Sequence, residues 1–364
     1  MSRFIPISQP SITEKEINYV TDAVKSGWVS SLGKYIDRFE SEFAAFCGVK
    51  HAVSTANGTV AIHLALVALG IKEGDEVIVP DFSFIATANA VRHTGAIPVF
   101  ADIDPFNLCI DVASIRKKIS PKTKAIIPVH IYGHPADMLA INTLAKEHNL
   151  IVIEDAAEAH GSSINGQKTG SWGICGTFSF YGNKNITSGE GGMITTNSDE
   201  LNERLRFLRD HAMSKEKRYW HTEIGYNYRM TNLQAALGVA QLERADELIA
   251  KRKTIYSWYK KYLQNFDGAT LNKTYSWAEN TYWLICAELH NYNEEKRANF
   301  MYKMKQAGID TRPFFYPMSK MPMYQKADNP ITYTIFEKGI NLPTYFDLNE
   351  EEVKYICEKI KELL

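Results

Sequence analysis

Four nearly apolar segments, spaced roughly 20 to 30 residues apart, mark the first half of the chain. They are EVIV at 76–79, AIPVF at 96–100, AIIPV at 125–129 and LIVI at 150–153. Because apolar residues occupy both faces of each segment, these patterns predict strands buried on both sides. The spacing leaves room for crossover helices, so we expect an α/β fold with a mostly parallel sheet.

From about Thr231 the pattern changes to a long amphipathic helical stretch, LQAALGVAQLERADELIAKRKTIYSWYKKYL. A smaller α+β unit is expected beyond it, up to Leu364. The chain is therefore predicted to form a large domain over 1–245 and a small C-terminal domain over 246–364.

The carboxyl ends of parallel strands are where open α/β sheets bind ligands. Three such ends carry chemically capable residues: DFSF at 81–84, YGH at 132–134 and EDAAE at 154–158. We expect the functional site at this edge of the sheet.

Overall charge and cysteine content narrow the classes of partner. The chain of 364 residues has a formal net charge of -1, so no global field attracts nucleic acid or an anionic membrane. No apolar run approaches the roughly 20 residues that span a bilayer. The start lacks a secretory signal pattern, and the 5 cysteines are scattered without metal-ligand spacing, so a reduced protein of the cytoplasm without a metal site is expected.

Two segments suggest how an anionic aromatic ligand could be held. TANGT at 55–59 precedes a periodic apolar run, so it is either a phosphate seat at a helix N-terminus or an ordinary helix cap. Asp155 ends an apolar strand, where a carboxylate needs a positive partner, either a protonated pyridine nitrogen or a structural cation. Glu158 could reach a hydroxyl group on the same ring, whereas His160 is expected to be structural.

Lys184 lies between the aromatic segment TFSFYGN and the glycine-rich SGEGG, unlike most lysines, which occupy solvated helix faces. Burial near other cations would lower its pKa and make the amine a nucleophile toward aldehydes. Ser179, five residues earlier, is placed to bind a phosphate.

The order of NGT at 57–59, EDAAEA at 154–159, FSFYGNK at 178–184 and GEGGM at 189–193 resembles the sugar aminotransferases of the DegT/DnrJ/EryC1/StrS family. The resemblance covers nearly the whole chain. It implies a type I aminotransferase fold dependent on pyridoxal 5′-phosphate (PLP), and a homodimer with active sites at the subunit interface.

The resemblance also implies roles for particular residues. Lys184 would bond the cofactor as a Schiff base, Asp155 would face the pyridine nitrogen, and Glu158 would contact the ring hydroxyl. Phe84 would stack on the ring. The phosphate would be held by Gly58, Thr59, Ser179 and Asn227 of the partner subunit.

Four further segments, at 26–40, 217–221, 226–233 and 312–317, resemble the subgroup of the family that makes GDP-perosamine. They supply the candidate substrate-binding residues Trp28, Ser30, Ser31, Trp220, His221, Arg229 and Arg312. The two tryptophans could instead be core or interface residues, and the two arginines could instead form ion pairs. The chain departs from the subgroup's pattern at His211-Ala212 and at Ser319-Lys320, so the identity of the sugar nucleotide stays open.

The expected reaction is a ping-pong transamination with L-glutamate as donor. The preferred acceptor is GDP-4-keto-6-deoxymannose, giving GDP-perosamine, and the alternative is dTDP- or UDP-4-keto-6-deoxyglucose. A non-catalytic sugar-nucleotide sensor and a cysteine desulfurase are the remaining alternatives. The two commonest glycine-rich nucleotide-binding motifs do not occur in the sequence.

Overall fold

A computed structural model of the chain describes residues 4–364, so the first three residues of the predicted large domain lie outside the described residues. Strands in this range are β1 (His51–Thr55), β2 (Glu76–Pro80), β3 (Ile97–Ala101), β4 (Thr123–Ile126), β5 (Ile151–Asp155), β6 (Ser163–Ile164), β7 (Gln167–Lys168), β8 (Cys175–Ser179), β9 (Gly192–Thr196), β10 (Ala269–Leu271), β11 (Ala278–Glu279), β12 (Ile285–Leu289), β13 (Arg312–Pro313) and β14 (Gly339–Leu342).

The α-helices of the same range are α1 (Glu14–Lys25), α2 (Lys34–Cys47), α3 (Gly58–Ala68), α4 (Ala86–His93), α5 (Val112–Lys118), α6 (Met138–Glu147), α7 (Asp199–Arg209), α8 (Asn232–Leu242), α9 (Ala245–Leu263), α10 (Glu294–Gln306), α11 (Pro330–Lys338) and α12 (Glu350–Leu363). Within residues 4–364, none of them combines the length and the apolar character needed to cross a bilayer.

The large sheet has seven strands in the order β1-β9-β8-β5-β4-β2-β3. Pairings from β3 through β8 are parallel, whereas β9 runs antiparallel to both β8 and β1. Each of the four apolar segments supplies one of the parallel strands β2 to β5, because residues with apolar side chains on both faces are covered on both sides. The predicted mostly parallel α/β sheet is confirmed.

The long helical stretch after Thr231 is broken into α8 and α9 at Glu243 and Arg244. Arg244 leaves the helical conformation, and its guanidinium is buried against Glu16, 2.7 Å from the carboxylate. The break, which hydrophobic periodicity does not indicate, therefore coincides with an ion pair between distant segments.

The C-terminal part contains a second, antiparallel sheet in the order β10-β12-β14-β13, packed against α9, α10 and α12. A few of its aromatic residues instead join the core beside the large sheet: Trp283, Phe314 and Phe336 pack with Phe82 and Tyr132. The C-terminal part thus reaches the edge where the ligand loops lie. The division near residue 245, where α9 begins, stays a prediction.

Candidate active site

The ends of β5 and β8, neighbours in the sheet, bring three sequence-predicted residues together. Asp155 is the last residue of β5, Glu158 follows in the next turn, and Lys184 lies in the loop after β8. The Lys184 Nζ atom is 4.0 Å from Glu158 Oε1. The strand order therefore builds a cluster of one amine and two carboxylates at the predicted edge.

The amine of Lys184 is largely withdrawn from solvent, with 11% of its side chain exposed. Its Nζ lies 3.6 Å from the centre of the Trp283 ring. Burial lowers the pKa of Lys184, and the charges of Glu158 and Asp155 partly oppose that shift. A buried amine with a lowered pKa spends more time unprotonated, which is the form that attacks a carbonyl carbon.

Asp155 is held by two hydrogen bonds at the base of the site. Thr87 Oγ1 donates to Oδ2 at 2.7 Å, and the backbone N–H of Ala157 donates to Oδ1 at 3.2 Å. Burial raises the pKa of Asp155, against the smaller opposing effects of these bonds. A cationic partner would favour the ionised form of Asp155, and a protonated ring nitrogen would be such a partner.

Glu158 is fixed from below by the backbone N–H of Tyr132, which donates to Oε2 at 2.8 Å. Burial raises the pKa of Glu158, and the Lys184 charge opposes the rise. Its other oxygen faces Lys184, so one carboxylate is positioned both to hold the amine and to contact a neighbouring hydroxyl group.

The segment predicted to hold an anion lies at the N-terminus of α3. Asn57 caps the helix through a 3.0 Å bond from Val60 N–H to its side-chain oxygen, which confirms that the segment is a helix cap. The earlier N–H groups of Gly58 and Thr59 have no partner inside the helix by its geometry. A Cβ at Gly58 would lie 2.7 Å from Ser179 Cβ, so only glycine lets β8 approach this closely. The cap thus leaves a seat made of Gly58, Thr59 and Ser179.

Buried polar atoms near Lys184 test whether a cofactor fits. Within residues 4–364, the side-chain Oδ1 of Asn183 and both polar atoms of Asn185 are buried without a hydrogen-bond partner. Such groups are costly unless a ligand or water satisfies them. The N–H groups at the α3 N-terminus suit a phosphate, the nucleophilic amine suits an aldehyde, and the buried carboxylate suits a basic ring nitrogen. The residues present fit PLP.

His160 lies outside this donor set. It is fully buried, with its ring centre 5.5 Å from Phe178, 5.4 Å from Phe180 and 6.4 Å from Phe43. Burial lowers its pKa to about 3. These aromatic contacts support the structural role expected for His160, which stays a prediction.

Phe84, in the loop after β2, is 57% exposed, and its ring centre is 6.1 Å from that of Phe315. The segment 312–317 therefore contributes an aromatic wall beside the candidate stacking residue. Arg312, at the start of that segment, is exposed and bonded to Asp310 at 3.0 Å. Its charge is therefore already paired in the single chain.

Asn232, at the start of α8, holds the segment that carries Trp28, Ser30 and Ser31. The side-chain amide of Asn232 donates to the Trp28 carbonyl at 2.7 Å, and its backbone N–H donates to the Ser30 carbonyl at 2.6 Å. Trp28 is 57% exposed, Ser30 is exposed and Ser31 is half-buried. The backbone of this segment is fixed while the Trp28 and Ser30 side chains stay exposed.

The segment 211–229 carries the other candidate residues on the surface. Trp220 is 54% exposed, and the His221 ring bonds the carbonyl of His211 at 2.8 Å. Arg229 is paired with the Asp210 carboxylate. Asn227 is exposed next to Tyr228, whose carbonyl accepts a 2.8 Å bond from Ala56 N–H beside the anion seat. The end of this segment is therefore anchored next to the predicted phosphate site.

Two residues of the site, Thr87 and Trp283, were absent from the sequence-based candidates, and Tyr132 was singled out only as part of the strand end YGH at 132–134. Thr87 follows a strand end that was singled out, so its position after DFSF could have suggested it. Tyr132 contacts Glu158 through its backbone N–H, and a backbone contact cannot be recognised from the type of residue. Trp283 comes about a hundred residues after the lysine it touches, and no local pattern connects them.

Fold and site together define a PLP-dependent aminotransferase of fold type I. The chain belongs to the DegT/DnrJ/EryC1/StrS aminotransferase family, whose sequence profile matches residues 10–361. It is 46% identical over 361 residues to a GDP-perosamine synthase of Vibrio cholerae, covering 98% of both chains. A GDP-perosamine synthase of Escherichia coli O157:H7 is 46% identical over 362 residues, covering 99% of this chain and 98% of that one.

A similar solved structure is the PMP form of the putative sugar aminotransferase Spr1654 from Streptococcus pneumoniae. Its TM-score is 0.94 at 29% identity, covering 99% of this chain and 97% of that one. The same protein is also solved in a PLP form, with a TM-score of 0.93. The predicted family, fold type and cofactor are confirmed.

Proposed function

We propose that this chain transfers the amino group of L-glutamate to GDP-4-keto-6-deoxymannose and so produces GDP-perosamine. The observation that carries the transamination is the burial of Lys184 between Glu158 and Trp283, one strand from Asp155. The choice of sugar nucleotide is supported by the two relatives at 46% identity, both named GDP-perosamine synthase.

When bound, PLP supplies an aldehyde that carries the amino group and a ring that takes up electrons. Lys184 Nζ is the amine that would bond this aldehyde, and when free it is the group that would take up and return a proton at the reacting carbon. Glu158 holds that amine in place. The lowered pKa of Lys184 lets its amine accept a proton without remaining permanently charged.

Asp155 would bind the protonated ring nitrogen, and Thr87 keeps the carboxylate pointed into the site. Gly58, Thr59 and Ser179 would bind the phosphate at the N-terminus of α3, where helix N–H groups favour an anion. Phe84 would cover the ring. The phosphate and the buried carboxylate would thus fix the cofactor at two ends.

The site would be completed by a second copy of the chain, with Asn227 of the partner subunit contacting the phosphate. Large apolar side chains are exposed in the two segments around Asn227 and Trp28, with Leu32 at 64%, Tyr219 at 75% and Ile224 at 86%. Exposed apolar groups of this extent are typical of interaction surfaces. They support the proposed homodimer, with Trp28, Trp220 and His221 near the substrate.

All five cysteines among the described residues are free and buried. Burial raises the pKa of Cys175, the thiol that could have served a desulfurase, and this residue lies within β8 rather than in a mobile loop. These facts favour the transaminase over the desulfurase. Unpaired thiols also suit a reducing compartment, so we propose a cytoplasmic location.

The test is a product analysis with purified protein, PLP and glutamate, offered GDP-4-keto-6-deoxymannose or the dTDP- and UDP-linked 4-keto-6-deoxyglucose. The expected result is a 4-amino sugar on GDP, identified by mass spectrometry and NMR, with formation of 2-oxoglutarate. Faster turnover of a dTDP or UDP sugar would replace the proposed substrate. Absence of 2-oxoglutarate with every acceptor would favour a sugar-nucleotide sensor.

Lys184→Ala is the control that links turnover to the proposed lysine. The wild-type protein should be yellow with PLP and lose its visible band on addition of glutamate, whereas Lys184→Ala should neither respond nor turn over. An unchanged rate in this variant would refute the role of Lys184.

A further inference from the structure

The amine of Lys184 has an aromatic neighbour as well as an acidic one. The centre of the Trp283 ring is 3.6 Å from Nζ, whereas the nearest Glu158 oxygen is 4.0 Å away. A cation over an indole face is attracted by the ring's electron density, and the attraction is strongest where water is excluded. With Trp283 only 4% exposed, the contact is well shielded.

Trp283 is held in this orientation from several sides. Its Nε1 donates to the carbonyl of Asn183 at 2.8 Å, which ties the ring to the residue preceding the lysine. Arg252, buried in α9, donates to the Trp283 carbonyl at 3.0 Å. The ring of Tyr132 stacks on the indole at 6.3 Å between centres. The indole cannot turn away without breaking the Nε1 bond and the contact with Tyr132, and Arg252 fixes the backbone that carries it.

Both halves of the fold therefore contribute to one seat for the amine. Glu158 comes from the loop after β5, and Trp283 comes from the segment just before β12. A Cβ at Gly133, in the loop after β4, would lie 2.8 Å from the Trp283 backbone nitrogen, so the segment before β12 packs closely against the edge of the large sheet. Such packing keeps the indole at a fixed distance from the sheet edge.

We propose that Trp283 is a positioning residue for Lys184: its indole face holds the ammonium group beside Glu158 whenever the amine is not bonded to the cofactor. This inference rests on the proposed role of Lys184. In a ping-pong reaction the lysine is free during part of each cycle and must return to the same aldehyde. A fixed seat would keep the flexible side chain within reach.

The sign of the effect follows from the charge. A cation–π contact stabilises the protonated amine, so it raises the pKa of Lys184 against the lowering caused by burial. Removing the indole should therefore lower the pH at which half of the amine is protonated. The usual strength of a cation–π contact corresponds to a shift of about 0.4 to 1.5 pH units.

The experiment measures this pH directly on the full chain freed of cofactor. Wild type, Trp283→Phe and Trp283→Leu are labelled with trace acetic anhydride across a pH series, beside a free amine as internal standard. Mass spectrometry of the peptide containing Lys184 gives the labelling rate. Because a smaller side chain also admits more reagent, the midpoint pH is compared rather than the maximal rate.

We expect the midpoint to fall in the order wild type, Trp283→Phe, Trp283→Leu. Trp258→Leu is the matched control, because Lys251 lies 4.8 Å over that ring in α9, outside the site, and the Lys184 midpoint should not move. Trp283→Phe keeps an aromatic ring and tests the proposal even if the leucine variant does not fold.

An unchanged or higher midpoint in both Trp283 variants would overturn the proposal. The labelling needs neither glutamate nor sugar nucleotide, so it gives an answer even if the chain proves not to be a transaminase. Conversely, wild-type turnover with an unmoved midpoint would refute the seat and leave the proposed function intact.

Discussion

Ser319 departs from the sequence pattern of the GDP-perosamine subgroup, and its surroundings predict a structural role rather than a choice of nucleotide. The residue is 1% exposed. Its hydroxyl donates to Asp81 Oδ2 at 2.6 Å, and its backbone N–H donates to Asp81 Oδ1 at 2.7 Å. Asp81 follows β2 directly, so this pair fastens the segment after Tyr316-Pro317 to the sheet edge.

The cost of Ser319→Ala can be worked from these contacts. The substitution removes the hydroxyl bond to Asp81 and the 2.6 Å contact with the Tyr333 hydroxyl. Asp81 Oδ2 keeps only the bond from Asn329, at 2.9 Å. A hydrogen bond to a buried charged group contributes about 1.5–3 kcal/mol, and burial raises the pKa of Asp81, which weakens the charged component. We expect the free energy of unfolding to fall by about 2 kcal/mol.

Urea unfolding of Ser319→Ala measures this loss of stability. Ser257→Ala is the matched control, because the exposed Ser257 hydroxyl bonds only the Thr254 carbonyl. This control should change the free energy of unfolding by less than about 0.5 kcal/mol. In the same preparations, the ratio of kcat/KM for the GDP and dTDP sugars should stay within about threefold of wild type, a difference below about 0.7 kcal/mol. Unchanged stability together with a tenfold change in that ratio would refute the reasoning.

Three further predictions concern the site and its assembly. Asp155→Ala should lower kcat roughly a hundredfold or more, because the transition state loses a preorganised stabilising charge, and Thr87→Val should lower kcat about tenfold. Near wild-type rates in steady-state kinetics would make the Asp155 carboxylate structural. His160 has a pKa of about 3 when folded and roughly 6.5 when unfolded, so the unfolded chain binds the proton first and stability falls as pH drops below about 6.5. Between pH 7.5 and 5 the urea-unfolding free energy of His160→Phe should therefore fall by about 2 kcal/mol less than that of wild type, and parallel curves would contradict the assignment. Mixing Lys184→Ala with Asn227→Ala should restore activity through hybrid dimers, whereas an active monomer in light scattering would exclude the shared site.

The parallel sheet and the cluster at its edge could be predicted because each rests on local pattern. Apolar runs define β2 to β5, and the strand ends then place Asp155 and Glu158 at one edge. The prediction was weaker where distant residues decide. The long helix ends at Glu243 and Arg244, where Arg244 pairs with Glu16, more than two hundred residues earlier. Trp283 reaches Lys184 only because the C-terminal part folds back on the sheet edge.

Hydrogen-bond satisfaction separates structural from functional carboxylates along this edge. Glu154 accepts three backbone N–H bonds from the segment 170–173 and faces His130 at 3.0 Å. Asp102 holds the start of α11 through bonds from Ile331 and Thr332. Hydrogen bonds within the protein therefore already occupy the acceptor oxygens of Glu154 and Asp102.

Asp155 and Glu158 differ in this respect. Asp155 has one short bond and one of 3.2 Å, and Glu158 has one backbone bond and an amine at 4.0 Å. Both are nearly inaccessible to water, so leaving acceptor capacity unused is costly unless a ligand takes it up. The sequence favours Asp155 over its neighbour Glu154 because Asp155 ends the apolar strand and because the family resemblance assigns it to the ring nitrogen. The three-dimensional count of donors supports the same choice, because Glu154 is already bonded within the protein whereas Asp155 keeps acceptor capacity that a cofactor could use.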